Sequence, residues 1–153
     1  MRTKTYFLCC FLVVFSVSVF AAKQTKIVIL HTNDTHSQVE PSESNNMGGY
    51  ARRMGEIDKI RSEEANVLLL DAGDFSQGSP YFNFFNGRIE TQAMKMMRYD
   101  AGTLGNHEFD NTDAGIGKLM GFLHNSACQT PMLSANVRFG KSSPQFAARP
   151  PEA

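Results

Sequence analysis

Two strand-length runs constrain this chain more than anything else in it. Lys26 to His31 reads Lys-Ile-Val-Ile-Leu-His, and Asn66 to Asp71 carries Val67-Leu68-Leu69-Leu70. Runs with almost no polar interruption suit strands of a sheet covered on both faces, as in α/β proteins. Between and after them, apolar residues recur at helical spacing. Tyr50, Met54, Ile57 and Ile60 define one helix within Gly49 to Ala65. Ile89, Ala93, Met96 and Met97 define a second, and Ile116, Leu119, Met120 and Leu123 a third. Met94, Met96 and Met97 read as core packing at this spacing. Asp100 to Leu104 is expected to be a short strand, and Met132 to Val137 a weaker one. Alternating strands and helices predict a layered α/β domain with right-handed crossovers.

The ends of the chain read differently. Arg2 and Lys4 precede an uncharged run from Tyr6 to Phe20, which closes on Ala21-Ala22. That is the layout of a secretory signal peptide over residues 1–22, so export to the periplasm or the medium is expected. The run is shorter than the roughly 20 residues that span a bilayer, so no stable membrane span is expected. Cys9 and Cys10 lie inside the run, and its removal leaves Cys128 alone, without a disulfide partner or a Cys-x-x-Cys pair for zinc. Residues 25–138 then form the domain. Residues 139–153, with Ser142-Ser143-Pro144 and Pro150-Pro151, form an irregular tail. Fifteen basic residues balance fifteen acidic ones, which argues against a nucleic-acid partner recruited by bulk charge.

The residues that carry chemistry follow the strands. After the first comes His31-Thr32-Asn33-Asp34-Thr35-His36, where Asp34 and His36 can point the same way from an extended segment. After the second comes Asp71-Ala72-Gly73-Asp74, where Gly73 allows a tight turn and Asp74 can bridge two cations. After the short third comes Gly105-Asn106-His107-Glu108-Phe109-Asp110. Asn106 there offers a neutral carbonyl ligand, His107 a proton or electrophile, and Asp110 an acceptor for the other ring proton. Singly, each segment also reads as an ordinary polar loop, turn or helix start. Together, at the carboxyl ends of predicted strands, they gather where α/β sheets collect ligand groups. Converging carboxylates without a basic partner call for a cation. Two divalent ions about 3.5–4 Å apart suit in-line attack on phosphorus.

In order and spacing these segments resemble the calcineurin-like metallophosphoesterase superfamily, with its Asp-x-His, Gly-Asp and Gly-Asn-His-Glu pattern. Gln77-Gly78-Ser79-Pro80, Leu133-Ser134-Ala135-Asn136, and Met47-Gly48-Gly49 before Ala51-Arg52-Arg53 narrow the resemblance to its 5′-nucleotidase family. The resemblance covers about Lys26 to Val137. It implies a partial, truncated α/β/β/α-like sandwich and metal-dependent hydrolysis of phosphate esters, foremost nucleoside 5′-monophosphates. It also implies that Asp34 and His36 bind a first metal, Asp74 bridges both, and Asn106 binds the second. His107 would be the catalytic histidine, oriented by Asp110. The cofactors would be two divalent ions such as zinc or manganese. The family's later histidine ligands have no counterpart here, since His124 alone follows His107. The second site is therefore expected to be incomplete and the chain to turn over little by itself, as a truncated or frame-shifted product. A separately encoded C-terminal half is one partner this reading allows. The alternatives are a non-catalytic metal-binding remnant, and a 2′,3′-cyclic-nucleotide phosphodiesterase or UDP-sugar hydrolase of the same family.

Overall fold

The computed structural model describes residues 24–124 and 130–138. The expected signal peptide, Cys128 and the irregular tail lie outside the described residues. The described chain alternates as the hydrophobic pattern predicts. Strand β1 (Val28–Thr32) is followed by helix α1 (Tyr50–Glu63), strand β2 (Val67–Asp71), helices α2 (Pro80–Phe85) and α3 (Arg88–Met97), and the short strand β3 (Ala101–Gly102). A 3-10 turn (His107–Phe109) and helix α4 (Thr112–His124) complete it.

The three strands form one parallel sheet in the order β1-β2-β3. Val28 pairs with Val67 through to Thr32 with Asp71, and Leu70 and Asp71 pair with Ala101 and Gly102. Parallel register places all three carboxyl ends on the same edge, so the loops that follow them converge. The stretch from Met132 to Val137 contributes less than its composition predicts. It adds a single parallel bridge, Met132 to Gly102, with the Leu133 N–H donating to the Gly102 carbonyl (2.8 Å).

Burial alternates along the strands. Leu69 (1% exposed) and Leu30 turn into one cluster with Ile57 of α1, Met94 and Met97 of α3, and Leu119 and Leu123 of α4. On the opposite side Ile27 and Ile29 are 63% and 60% exposed, and Leu68 is 36% exposed. Among the described residues, one face of the sheet is covered. The described helices contribute to a single cluster on one face, and the apolar residues of the other face meet solvent. Met96 corrects an expectation. It is 58% exposed because the inward stripe of α3 runs through Glu90, Thr91, Met94 and Met97, which leaves its neighbour on the outer side.

The two faces give a direct contrast. Leu69→Ala removes a fully packed side chain and is expected to cost about 2–5 kcal/mol. Ile29→Thr, on the open face, should stay within about 1 kcal/mol of the parent. Urea unfolding of both variants measures the difference, and equal losses would contradict this division of the sheet.

Helix α2 was not legible in the apolar periodicity. It is six residues long, with Pro80 in the first turn, where proline's missing N–H costs nothing. It buries Phe82 and leaves Phe84 79% exposed.

A candidate metal centre at the strand ends

The loop after β1 runs alongside the loop after β2. The N–H groups of Asp34, His36 and Ser37 donate to the carbonyls of Gly73 (3.1 Å), Asp74 (3.0 Å) and Phe75 (3.1 Å). Asp34, His36 and Ser37 all have positive φ, of 51°, 43° and 52°. The expectation that Asp34 and His36 project together from an extended segment is thus corrected. They are brought to the same region by left-handed turns, a conformation that Asp and His tolerate better than most residues. Asp34 Oδ1 lies 3.6 Å from His36 Nε2, and its other oxygen accepts from the Asn33 side chain.

The loop after β2 turns through Gly73 (φ 98°) into Asp74 (φ 52°). A Cβ on Gly73 would stand 2.5 Å from the Gly105 nitrogen, and one on Gly105 would stand 2.0 Å from Asp74 Oδ1. Two glycines therefore let the second and third strand-end loops touch backbone to backbone. This approach presents Asp74, only 7% exposed, to the third loop, where its Oδ1 accepts from the His107 N–H (2.9 Å).

Glu108 holds the two loops together, a role that reading the residues one by one missed. It is 1% exposed. Its Oε2 accepts from the N–H groups of Asp74 (2.9 Å) and Gly105 (2.7 Å), and its Oε1 from the N–H (3.1 Å) and hydroxyl (2.7 Å) of Ser76. Four donors on one carboxylate offset its burial without a cation. The one signal for it in the sequence was an acid embedded among glycines, whose turns leave N–H groups free.

One ligand atom each from His36, Asp74 and His107 lie within 4.8 Å of one another. The two imidazoles meet edge to face, with ring centroids 5.1 Å apart. His107 Nδ1 donates to Asp110 Oδ2 (2.7 Å), which leaves Nε2 free for a ligand. Of the expected site residues, the structure gathers His36, Asp74 and His107 and places Asp110 behind His107. Asp34 reaches the group through His36 and is half exposed. Asn106 stands at the start of the 3-10 turn, exposed, its carbonyl accepting from the Phe109 N–H (3.1 Å). Two imidazoles and a buried carboxylate are a nitrogen and oxygen donor set suited to zinc, manganese or iron, so the residues fit a divalent cation.

The hydrogen bond to Asp110 raises the His107 pKa above its ordinary value; desolvation opposes it, and the negative charges of Asp110, Asp74 and Glu108 add to the rise. Because the folded value is raised, the pair favours the folded state below the ordinary histidine pKa of about 6.5. That contribution is lost as pH rises through the raised midpoint. In metal-free protein, Asp110→Asn should move the His107 titration to lower pH, as read from histidine ring NMR shifts. An unmoved midpoint would contradict this account of the bond.

Residues 27–139 match the calcineurin-like phosphoesterase family, across nearly all of the described domain. The chain belongs to that family. Within the calcineurin-like phosphoesterases, it is 45% identical over 126 residues to a snake venom 5′-nucleotidase of Crotalus adamanteus, covering 77% of this chain and 21% of that protein. It is 42% identical over 127 residues to a 5′-nucleotidase of Homo sapiens, covering 77% and 21%. Among solved structures, the NAD nucleotidase of Haemophilus influenzae superposes with a TM-score of 0.70 at 37% identity, over 79% of this chain and 22% of that one. A 5′-nucleotidase precursor from Thermus thermophilus gives 0.70 at 35%, over 80% and 24%. The chain thus spans about a fifth of the length of the curated relatives it matches. The layered α/β phosphoesterase fold holds across this shared segment.

Proposed function

We propose that this chain carries the first part of a divalent-metal phosphoesterase site and that its substrates are phosphate esters, nucleoside 5′-monophosphates first among them. The observation that carries this reading is the meeting of His36, Asp74 and His107 from three consecutive strand ends within 4.8 Å. Relatives that are named 5′-nucleotidases support the substrate class.

Asp34 and His36 would hold one ion, Asp74 would reach both, and Asn106 would hold the second. Ions bound there would supply Lewis acidity at the phosphoryl oxygens. The chain's own residues do the rest. His107, with Nδ1 engaged by Asp110, presents Nε2–H to a phosphoryl oxygen and stabilises the charge that develops there. Asp110 keeps the ring in that orientation and favours the doubly protonated form that donates from both nitrogens. Glu108 fixes the distance between the Asp74 and His107 loops through its four hydrogen bonds. Asp34, His36, Asp74 and Asn106, shared between two ions, give each fewer than the four donors of a closed structural zinc site, which leaves room for substrate and makes for weak binding of metal by this chain alone.

Export fits the basic, apolar and small-residue layout of residues 1–22 and the venom relatives. Among the described residues no helix is long and apolar enough to cross a membrane.

The test is phosphate release from AMP and from a generic aryl phosphate, with manganese or zinc added. Wild type is compared with an Asp74→Ala, His107→Ala double variant. Low metal-dependent release that disappears in the variant is the expected result. Equal release from both proteins would sink the assignment.

A further inference from the structure

Beneath the metal loops lies a second polar cluster that the site described above does not use. Glu90, on the inner face of α3, is 1% exposed, and neither of its carboxylate oxygens has a hydrogen-bond partner among the described residues. It lines a cavity of about 10 Å³ together with Thr35, Tyr50, Arg53 and Asp71. That is the space explored by the centre of one water molecule. Among the described residues, Arg53 is the one cationic group lining it. Its guanidinium carbon sits 5.2 Å from the centre of the Tyr50 ring, one turn away on α1, so both donors point from one helix into the same space.

Asp71, the other carboxylate there, is already provided for. Thr32 Oγ1 donates to it (2.6 Å), as does the Gly73 N–H (2.9 Å). Glu90 has no such partner among the described residues, and a buried carboxylate without compensation is strongly disfavoured. A guanidinium and a phenol facing the same water-sized space provide what it lacks. Burial, together with the charge of Glu90, pushes the Tyr50 hydroxyl well above its usual range, so it remains a donor at neutral pH.

We propose that Glu90 and Arg53 are positioning residues that pair through a single water held in this cavity, and that the pair sets the loops carrying His36 and Asp74. Thr35 and Asp71 form the part of the cavity wall that belongs to those loops. Thr35 precedes His36, and Asp71 holds the Gly73 turn that presents Asp74. The pair therefore fastens α1 and α3 to the floor of the metal centre without touching a metal donor. The pairing stands on the cavity alone, and its effect on metal rests on the reading of the site given above.

The experiment is a double-mutant cycle with Glu90→Gln, Arg53→Met and the double variant, on the full chain. Two quantities are read: the metal-free unfolding equilibrium in urea, and manganese affinity at 25 °C. Pairing predicts that the two single effects on unfolding are coupled by tenfold or more. Positioning predicts that each single variant weakens manganese binding about three- to tenfold, that the double variant is no worse than the weaker single, and that Arg53→Lys recovers most of the affinity. Additive effects on unfolding would overturn the pairing. Unchanged manganese affinity in Glu90→Gln beside lost stability would overturn the positioning role and leave Glu90 as packing only. Wild type that binds no manganese would overturn the metal-site reading and the positioning role with it, while the metal-free cycle still decides the pairing. Should Arg53→Met fail to fold, Arg53→Lys and Arg53→Gln complete the cycle.

Discussion

Glu108→Ala is expected to destabilise this domain by on the order of 4 kcal/mol and to remove metal binding with it. The carboxylate receives the N–H groups of Asp74, Ser76 and Gly105 and the hydroxyl of Ser76, and it is buried. A hydrogen bond to a charged group contributes about 1.5–3 kcal/mol, and each donor left buried and unmet carries its own penalty. Water entering the vacated space recovers part of that, so the sum is smaller than four full bonds. Against a total stability of about 5–15 kcal/mol for a domain, the loss is large enough to unfold a marginal protein. Glu108→Gln should fall between the two, since its amide keeps one acceptor and turns an N–H toward other N–H groups. Urea unfolding and circular dichroism of both variants measure this. A Glu108→Ala protein as stable as the parent would show that the two loops are held by something else.

The second large effect is steric. A methyl at Gly105 would stand 2.0 Å from Asp74 Oδ1 and 2.5 Å from the Asp74 nitrogen; the first can yield only by turning the carboxylate, and the second only by moving the loop that carries Asp74. Gly73→Ala meets the Gly105 nitrogen at 2.5 Å and also forces a side chain into φ 98°. Each substitution is expected to cost about 3 kcal/mol, the upper end of what overpacking does, and to weaken metal binding because Asp74 is displaced. Gly55 is the internal control. It lies inside α1, where an added methyl would have nothing within 4 Å, so Gly55→Ala should stabilise by roughly 0.5–1 kcal/mol through helix propensity. Thermal melts of the three variants give the comparison. A tolerated Gly105→Ala would mean the loops approach less closely than described.

Much of the fold was legible because burial imposes a period. The stripe Tyr50, Met54, Ile57 and Ile60 marks α1, and Ile116, Leu119, Met120 and Leu123 mark α4. The six-residue α2 escaped because Tyr81, Phe82, Phe84 and Phe85 are too close together to show a helical period, and only Pro80 signalled a start. Apolar content alone also misplaced Met96. A run such as Ile27 to Leu30 states that its residues are apolar, and says nothing of which layers are present to cover them.

The site divides the same way. That Asp34, His36, Asp74, Asn106, His107 and Asp110 lie at strand ends follows from the strand pattern and the parallel register. Which of them meet does not, because that depends on left-handed turns at Asp34 and His36 and on the backbone contact between Gly73 and Gly105. The supporting carboxylates are the least legible part. Glu108 and Glu90 are both 1% exposed. One is surrounded by backbone donors and the other faces a water-sized cavity, and nothing in the linear order of residues separates those two situations.

The central claim is that the three strand ends form one divalent-metal site centred on Asp74. Its most direct test is a calorimetric titration of manganese into the full chain and into its Asp74→Ala variant at pH 7.5. Saturable binding by the wild type and at least a tenfold loss in the variant are predicted, with both proteins folded by circular dichroism. Equal affinity in the two proteins would contradict the claim, and would move the metal away from the place where these loops converge.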